Sequence, residues 1–316
     1  MTTALVFPGQ GSQAVGMGQS LAENFAIARE VFQEVDEALG IKLSAIMKEG
    51  PEGELTRTEN AQPAIMAVSI AAYRIMEKEM GFDLAKQASC VAGHSLGEYS
   101  ALTAAGSFTL SQCAKLLQIR GRAMQQAVSE GQGGMVAIIG PTYQEVEEIV
   151  REARGRVSAA VIEIANQNST NQTVISGTAR GMETAIEVAK ERGAKRALPL
   201  PVSAPFHCSL MAPAAQAMKS ALAGETIKAP IVPVVANVTA EFVTDPTLIK
   251  ELLVAQVTGT VRWVDSVEFM KANGVSKVIE IGHGNVLAGL IKRIAPEIGV
   301  VNIGSPADLE NYAKAA

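Results

Sequence analysis

The chain has 316 residues, of which 48% are hydrophobic and 19% are charged, and 28 are glycines. This composition is typical of a globular protein with a sizeable core, and it argues against disorder. The length allows one large α/β domain or two domains of ordinary size. A formal net charge of −5 argues against a general binder of nucleic acid or of a membrane surface, since those partners select basic surfaces.

The cysteines and the first residues bear on cellular location. Cys90, Cys113 and Cys208 are an odd set without C-x-x-C spacing, which indicates reduced thiols and no structural zinc site. The stretch MTTALVFPGQGSQ has no basic region before its apolar run, so it is interpreted as a strand and not as a signal peptide. No apolar run has the length of a membrane span. We therefore expect a soluble cytoplasmic protein that needs no metal or redox cofactor.

Apolar patterning along the first 130 residues predicts alternating strands and helices. Residues 3–7 have the pattern of a buried strand, and a second short apolar strand is expected at about 88–92. The last helix of this region is predicted to begin at a Ser111 cap. The predicted helices cover residues 20–39, 60–81, 96–108 and 110–130.

A change of pattern after residue 130 indicates an inserted unit. The segments MVAIIG, TYQEVEEIVREAR, AAVIEIANQNS, TNQTVISG, METAIEVAKERG and AKRALPL predict the order β-α-β-β-α-β, the split-βαβ or ferredoxin-like pattern. Glycines and prolines flank it, so we predict a small subdomain over 130–198, inserted in a large subdomain of 1–129 and 199–316. The strands PIVPVVANVT and VSKVIEIG complete a mostly parallel, α/β-hydrolase-like core.

The stretch VAGHSLGEYSAL contains the signature G-x-S-x-G around Ser95, between a predicted strand and a predicted helix. In such an elbow the serine lies on a strained turn, and the flanking glycines relieve crowding between strand and helix. The following helix directs N–H groups at an oxyanion formed there. Ser95 is therefore the candidate nucleophile.

A serine nucleophile needs a base, and three histidines can supply one. His94 adjoins Ser95, but successive side chains around a turn diverge, so we interpret it as a residue that shapes the elbow. His283 follows a late strand, where an α/β hydrolase carries its base. His207 lies in a Pro-rich segment that returns from the insert. The residues alone leave His207 and His283 close to even, and no acid stands out as a third partner.

Six ordered segments resemble one family, the malonyl-CoA:acyl carrier protein transacylases and the related acyltransferase domains of polyketide synthases. The segments are FPGQGSQ, TENAQPAI, GHSLGEYSAL, QIRGRAMQ, PVSAPFHCSLM and LVAQVTGTVRW. The resemblance implies that Ser95 is acylated and that His207 is its base. It further implies that the backbone carbonyl of Gln256 holds the imidazole and that the N–H groups of Gln10 and Leu96 form the oxyanion hole.

The resemblance also implies how the substrate is recognised. Arg120 would clamp the free carboxylate of a malonyl group, a role for which a planar guanidinium is suited. Phe206 resembles the malonyl-selective members, because a bulky ring would crowd an extra methyl group. Met135 and Asn168 match pocket residues. At IGHGNVL the chain departs from the family pattern, which argues against a catalytic His283.

Partners and reaction follow from the same resemblance. Malonyl-CoA and an acidic acyl carrier protein with a phosphopantetheine thiol are the implied substrates, in a ping-pong transfer through malonyl-Ser95 that supplies fatty acid synthesis; we expect a monomer. A serine thioesterase or esterase, or a non-catalytic docking module, is the alternative. The basic residues that match the carrier-docking surface are Lys195, Arg196, Lys292 and Arg293.

Overall fold

A computed structural model of the chain describes residues 2–202 and 204–315, and its strands form two sheets. The large sheet contains β1 (Thr2–Phe7), β2 (Cys90–Gly93), β7 (Val234–Val235), β8 (Phe242–Val243), β9 (Val275–Ile281) and β10 (Gly299–Ile303). The small sheet contains β3 (Gly133–Ile139), β4 (Ile162–Ser169), β5 (Gln172–Thr178) and β6 (Arg196–Pro199).

Helices connect and cover these strands. In the first part of the chain they are α1 (Gln19–Asn24), α2 (Ala26–Leu39), α3 (Leu43–Glu49), α4 (Glu52–Thr56), α5 (Thr58–Glu79), α6 (Leu84–Gln87), α7 (Leu96–Ala104) and α8 (Leu110–Gln126). They continue with α9 (Tyr143–Arg156), α10 (Ala179–Glu191), α11 (Ala212–Ala223), α12 (Pro246–Thr258), α13 (Trp263–Ala272), α14 (Val286–Ile294) and α15 (Pro306–Ala315).

The large sheet has the order β10-β9-β1-β2-β7-β8, and its strands are parallel except β8. Both faces are buried, as expected where helices cover a parallel sheet on each side. On β1, Leu5 and Phe7 join the core that packs against α5 and α8, whereas Ala4 and Val6 join the core beneath α13 and α14. The loops after β1, β2, β7 and β9 therefore meet at one edge of the sheet.

The small sheet is antiparallel and has the order β4-β5-β3-β6. Its elements follow the predicted β-α-β-β-α-β sequence. Helices α9 and α10 pack against one face, around Val136, Ile138 and Ile175. Alternate residues of the same strands, among them Met135 and Val174, join the main core instead. This opposite face of the small sheet therefore faces the large sheet, and a cleft lies between them.

Two helix predictions need correction. The apolar pattern over 20–39 forms two helices, because Phe25 adopts an extended backbone conformation (φ −128°, ψ 126°) that ends α1 and begins α2. The cap of α8 is Thr109 and not Ser111. The Thr109 hydroxyl accepts the Gln112 N–H, and the Gln112 side chain returns to the Thr109 N–H, which forms a capping box.

In the part of the chain that the structure describes, no helix is both long and apolar enough to cross a membrane.

Candidate active site

Ser95 lies at a sharp turn between the end of β2 and the start of α7. Its backbone has φ 54° and ψ −111°, a conformation that a residue with a side chain rarely adopts. The two glycines of the signature allow this turn. A Cβ on Gly93 would overlap the backbone of Gly97, and a Cβ on Gly97 would overlap the carbonyl of Phe7. The strained serine thus depends on close contact between α7, β2 and β1.

The Ser95 hydroxyl is hydrogen-bonded to His207, whose Nε2 lies 2.8 Å from Oγ. On the other side of the ring, Nδ1 lies 2.9 Å from the carbonyl oxygen of Gln256 and 3.2 Å from that of Gly259. Carbonyl oxygens only accept, so Nδ1 carries the proton and Nε2 is free to accept one from Ser95. His207 itself has a positive φ of 59°, so both members of the pair lie on strained backbone.

Burial sets the charge of the imidazole. His207 is 4% exposed, and burial, with a smaller contribution from the nearby Arg120 charge, lowers its pKa to about 3. The ring is therefore uncharged at neutral pH. No carboxylate contacts it among the described residues, so backbone carbonyls alone orient it.

The other two histidines occupy different places. His94 is half-buried, and its Nε2 lies 2.8 Å from Oδ1 of Asn168, while the ring packs against Trp263. Burial lowers the pKa of His94, so it also stays uncharged. His283 follows β9 and is half-buried, but it does not line the cavity that contains Ser95. Of the two distant candidates, the structure brings His207 to the serine and leaves His283 apart.

Arg120 is buried, with 1% of its surface exposed, and it lies beside the serine. Its Nη1 donates to Oε1 of Gln62 at 2.9 Å, and its Nη2 donates to Ser95 Oγ at 3.1 Å and to Oε1 of Gln256 at 2.8 Å. The guanidinium also lies over the ring of Tyr99. Burial lowers the pKa of Arg120, yet arginine stays protonated in proteins. A cation therefore stands next to the serine with neutral partners on its hydrogen bonds.

The side chains of Glu98, Asn237 and Gln256 are buried and form hydrogen bonds around Ser95 and Arg120, and the sequence did not predict these side-chain contacts. Glu98 accepts the Asn237 N–H at 3.0 Å and the Gln256 side-chain N–H at 2.8 Å. It is 2% exposed, and burial raises its pKa to about 7. The available signal was the one charged residue of α7, a glutamate one turn beyond Ser95, but the sequence does not indicate its partners.

A cavity of about 420 Å³ opens onto Ser95 and His207. This volume is within the usual range for small-molecule sites. Leu96 begins α7, so its N–H belongs to the first turn, where helical N–H groups have no acceptor within the helix. The sequence-predicted residues that line the cavity are Gln10, Ser95, Arg120, Met135, Asn168, Phe206 and His207.

The predicted basic residues are exposed, and three of them cluster at one end of the small sheet. Arg196 and Gln172 both pair with Ile139, from opposite sides, so they lie about 10 Å apart. Arg293 donates to the side chain of Gln172 at 3.4 Å, and Lys195 packs against Gly140. The same end of the sheet is near the cavity, because Gln172 pairs with the residue that follows Asn168.

A serine at a strained elbow, an uncharged imidazole on its hydroxyl and free N–H groups at a helix start together suit acyl transfer. The fold and the site thus define the class of enzymes that transfer acyl groups.

The model of the acyl transferase domain family matches residues 4–302. The malonyl CoA-acyl carrier protein transacylase of Salmonella typhimurium is 45% identical over 307 residues, which cover 97% of each chain. The crystal structure of an acyl-carrier-protein-S-malonyltransferase from Bartonella henselae superposes with a TM-score of 0.96 at 52% identity, covering 100% of this chain and 99% of that one. A malonyl-transacylase in complex with its type II polyketide synthase acyl-carrier protein superposes with a TM-score of 0.95 at 40% identity, with full coverage of both chains.

The chain therefore belongs to the acyl transferase family and, within it, to the malonyl CoA-acyl carrier protein transacylases.

Proposed function

We propose that this acyltransferase moves a malonyl group from malonyl-CoA to the phosphopantetheine thiol of an acyl carrier protein, through a malonyl ester on Ser95. The observation that carries the proposal is the position of Arg120, a buried cation whose Nη2 lies 3.1 Å from the same Oγ that His207 contacts. A buried cation beside a nucleophile favours an acyl group with its own negative charge. The names of the relatives agree with this substrate.

In the first half-reaction, His207 Nε2 accepts the Ser95 proton while Oγ attacks the thioester carbonyl. The tetrahedral intermediate then collapses, the C–S bond breaks, and the proton on Nε2 passes to the departing CoA sulfur. In the second half-reaction, the carrier thiol gives its proton to Nε2 and attacks the ester carbonyl. The bond between the acyl carbon and Ser95 Oγ then breaks, and Oγ takes the proton back from Nε2. Each half-reaction is balanced in protons, so the enzyme returns to its starting state.

The backbone N–H groups of Leu96 and Gln10 are the proposed oxyanion hole. Leu96 offers a free helix N–H next to the nucleophile. Gln10 lies in the loop after β1, beside Gly9, where a Cβ would come within 2.6 Å of the His94 carbonyl, so only glycine lets this loop approach the elbow. The loss of one such donor typically costs about 10²–10³ in rate.

Selectivity is assigned to the clamp and the cavity walls. The malonyl carboxylate would replace neutral acceptors on Arg120 with a charged, bidentate one. Phe206 is buried against the cavity and would crowd a methyl group on the malonyl carbon. Met135 closes the small-sheet side. Asn168, whose amide oxygen is held by His94, would direct its NH₂ group toward the acyl chain or the pantetheine.

The carrier protein would dock at the basic end of the small sheet. Lys195, Arg196 and Arg293 are exposed there, Lys292 is the exposed neighbour of Arg293 on α14, and an acidic carrier would be complementary to all four. This end of the sheet adjoins Asn168 at the cavity, so a docked carrier could deliver its thiol without crossing the large sheet. The complexed malonyl-transacylase named above supports a carrier partner of this class.

We further assign residues 1–129 and 199–316 to a catalytic subdomain and 130–198 to a ferredoxin-like one, whose strand order β4-β5-β3-β6 is that expected for two interleaved βαβ units. Residues 1, 203 and 316 of these ranges lie outside the described residues.

The proposed reaction needs no metal or redox cofactor. The place of action would be the cytoplasm, in fatty acid synthesis, and the active form would be a monomer.

The decisive test is incubation with malonyl-CoA and pantetheinylated carrier protein, followed by mass measurement of both proteins. We expect a malonyl mass on Ser95 when the carrier is omitted and on the carrier when it is present, with Ser95→Ala as the inactive control. Release of malonate without carrier loading would indicate a thioesterase. Failure of Ser95 to gain a malonyl mass in a single turnover would instead favour a docking module.

A further inference from the structure

We infer that Asn237 is a positioning residue for the nucleophile, and that it acts by clamping the two ends of the elbow. Its side-chain Oδ1 accepts the backbone N–H of Ser95 at 2.8 Å, and its Nδ2 donates to the carbonyl oxygen of Gly93 at 2.7 Å. The residues on either side of His94 are thus tied to one amide group. This inference rests on the proposed function, in which Ser95 is acylated.

The elbow needs such a clamp. The φ and ψ of Ser95 lie outside the regions that ordinary residues occupy, and conformations of this kind cost about 1–3 kcal/mol and persist only where the surroundings impose them. Neither the β2 ladder nor the α7 hydrogen bonds satisfy the Ser95 N–H, because it lies between the two elements. The Asn237 amide does so and turns the serine toward the cavity.

Only an asparagine fits both ends. The clamp requires a short side chain that carries both an acceptor for the Ser95 N–H and a donor for the Gly93 carbonyl. If the Asn237 amide were turned over, its NH₂ group would face the Ser95 N–H and its oxygen would face the Gly93 carbonyl, so both hydrogen bonds would be lost. Aspartate lacks the donor, and leucine of similar size lacks both. Asn237 is 1% exposed, so water does not reach the Ser95 N–H or the Gly93 carbonyl to replace a hydrogen bond that a substitution removes.

Asn237 is itself held from two sides. Its own N–H donates to Glu98 Oε2 at 3.0 Å, and its carbonyl accepts the Arg262 N–H at 3.0 Å. Gln256 completes the frame, since its Nε2 donates to the Ser95 carbonyl at 3.0 Å and to Glu98 at 2.8 Å. The serine peptide is therefore fixed at its N–H by Asn237 and at its C=O by Gln256.

The test compares Asn237→Leu and Asn237→Asp with Asn302→Leu. Asn302 is a matched control because its Nδ2 likewise donates to a buried acceptor, here Oε2 of Glu280 at 2.9 Å, but it lies on β10 outside the cavity. Single-turnover acylation of Ser95 by malonyl-CoA and the KM for malonyl-CoA are measured well below each variant's unfolding temperature.

We expect Asn237→Leu to slow acylation by about 10²-fold, the effect of displacing a reacting atom by about 1 Å, with KM changed less than about threefold because Asn237 does not contact Arg120. Asn237→Asp, which keeps the acceptor, should fall between it and the wild type. Asn302→Leu should slow acylation less than about threefold at a similar loss of Tm. Equal rates in wild type and Asn237→Leu, or an equal loss in the control, would overturn the inference.

One further measurement needs no variant, and a second needs no malonyl-CoA. In the wild-type protein the Ser95 amide should be strongly protected from hydrogen exchange, and exchange at the rate of an open amide would contradict the clamp. Phenylmethylsulfonyl fluoride tests the elbow with no malonyl recognition. If the wild type ignores malonyl-CoA but Asn237→Leu still slows sulfonylation, the proposed function fails and the positioning role stands.

Discussion

The carbonyl oxygen of Gln256 lies 2.9 Å from Nδ1 of His207, while the side chain of the same glutamine accepts from Arg120 Nη2 at 2.8 Å. One residue near the end of α12 therefore joins the base to the cation that would recognise the acyl group. Because both contacts start from Gln256, a shift of α12 would move base and clamp together. Replacement of Arg120 should change the preference among acyl groups, whereas replacement of His207 should slow acylation by any of them, which makes the two roles separable by experiment.

Arg120→Ala should abolish the preference for a charged acyl group. We expect malonyl transfer to Ser95 to fall by about 10²-fold, which corresponds to the loss of one to two charged hydrogen bonds, and acetyl transfer to change little. Arg120→Lys, which keeps the charge but not the fork, should recover only part of the preference. The measurement is the ratio of malonyl-CoA to acetyl-CoA acylation rates. An unchanged ratio in Arg120→Ala would show that the clamp lies elsewhere.

His207→Ala should slow acylation by about 10²–10⁴, the usual contribution of a general base. His283→Ala is the matched control, because the residues alone made both histidines candidates for the base and only His207 contacts Ser95. Its acylation rate should stay within about twofold of the wild type. A large loss in His283→Ala with a small one in His207→Ala would reverse the assignment.

The base should remain active in mild acid. Burial lowers the pKa of His207 to about 3, so the imidazole is still unprotonated at about pH 5, where an exposed histidine would be charged. The rate of Ser95 sulfonylation by phenylmethylsulfonyl fluoride should therefore vary little from pH 8 to about 5, with circular dichroism as the check on folding. A decline with a midpoint near pH 6.5 would indicate an imidazole that titrates as in water.

Glu98 should make the protein less stable as pH rises. Burial raises its pKa from 4.5 to about 7, so between these values the folded state holds a proton that the unfolded state has lost. By linkage the free energy of unfolding falls across this window, by about 1.4 kcal/mol per unit of pKa difference. Glu98→Gln should lose this fall. Denaturant unfolding of both proteins at pH 4.5 and 7 measures it, since other titrating groups cancel in the comparison.

Charge reversal at the basic end of the small sheet should weaken carrier binding. Arg196→Glu and Arg293→Glu are each expected to raise the KM for the carrier by about three- to tenfold and to reduce its dependence on salt, without changing acylation by malonyl-CoA. Arg151→Glu is the control, an exposed arginine on α9, which covers the opposite face of the same sheet. An equal effect of Arg151→Glu would mean that net charge, and not this surface, controls the carrier.

Local pattern was sufficient for features that depend on local physics. The glycines around Ser95 and the adjacent strand and helix predicted the elbow, because that turn is decided by backbone crowding within a few residues. The order β-α-β-β-α-β over about 70 residues was likewise readable from apolar spacing. The Ser111 cap was wrong for the same local reason, since Thr109 and Gln112 make a better box two residues earlier.

Only the tertiary structure decided which groups meet at the serine. Ser95 is 112 residues from His207 and 142 from Asn237, and nothing in the spacing of those positions predicts contact. The residues alone left His207 and His283 close to even, and only the resemblance favoured His207. In the structure Nε2 of His207 lies 2.8 Å from Ser95 Oγ, and His283 does not line the cavity. The roles of Glu98, Asn237 and the Gln256 side chain could not be predicted at all, because a buried polar group is defined by partners that the fold brings together.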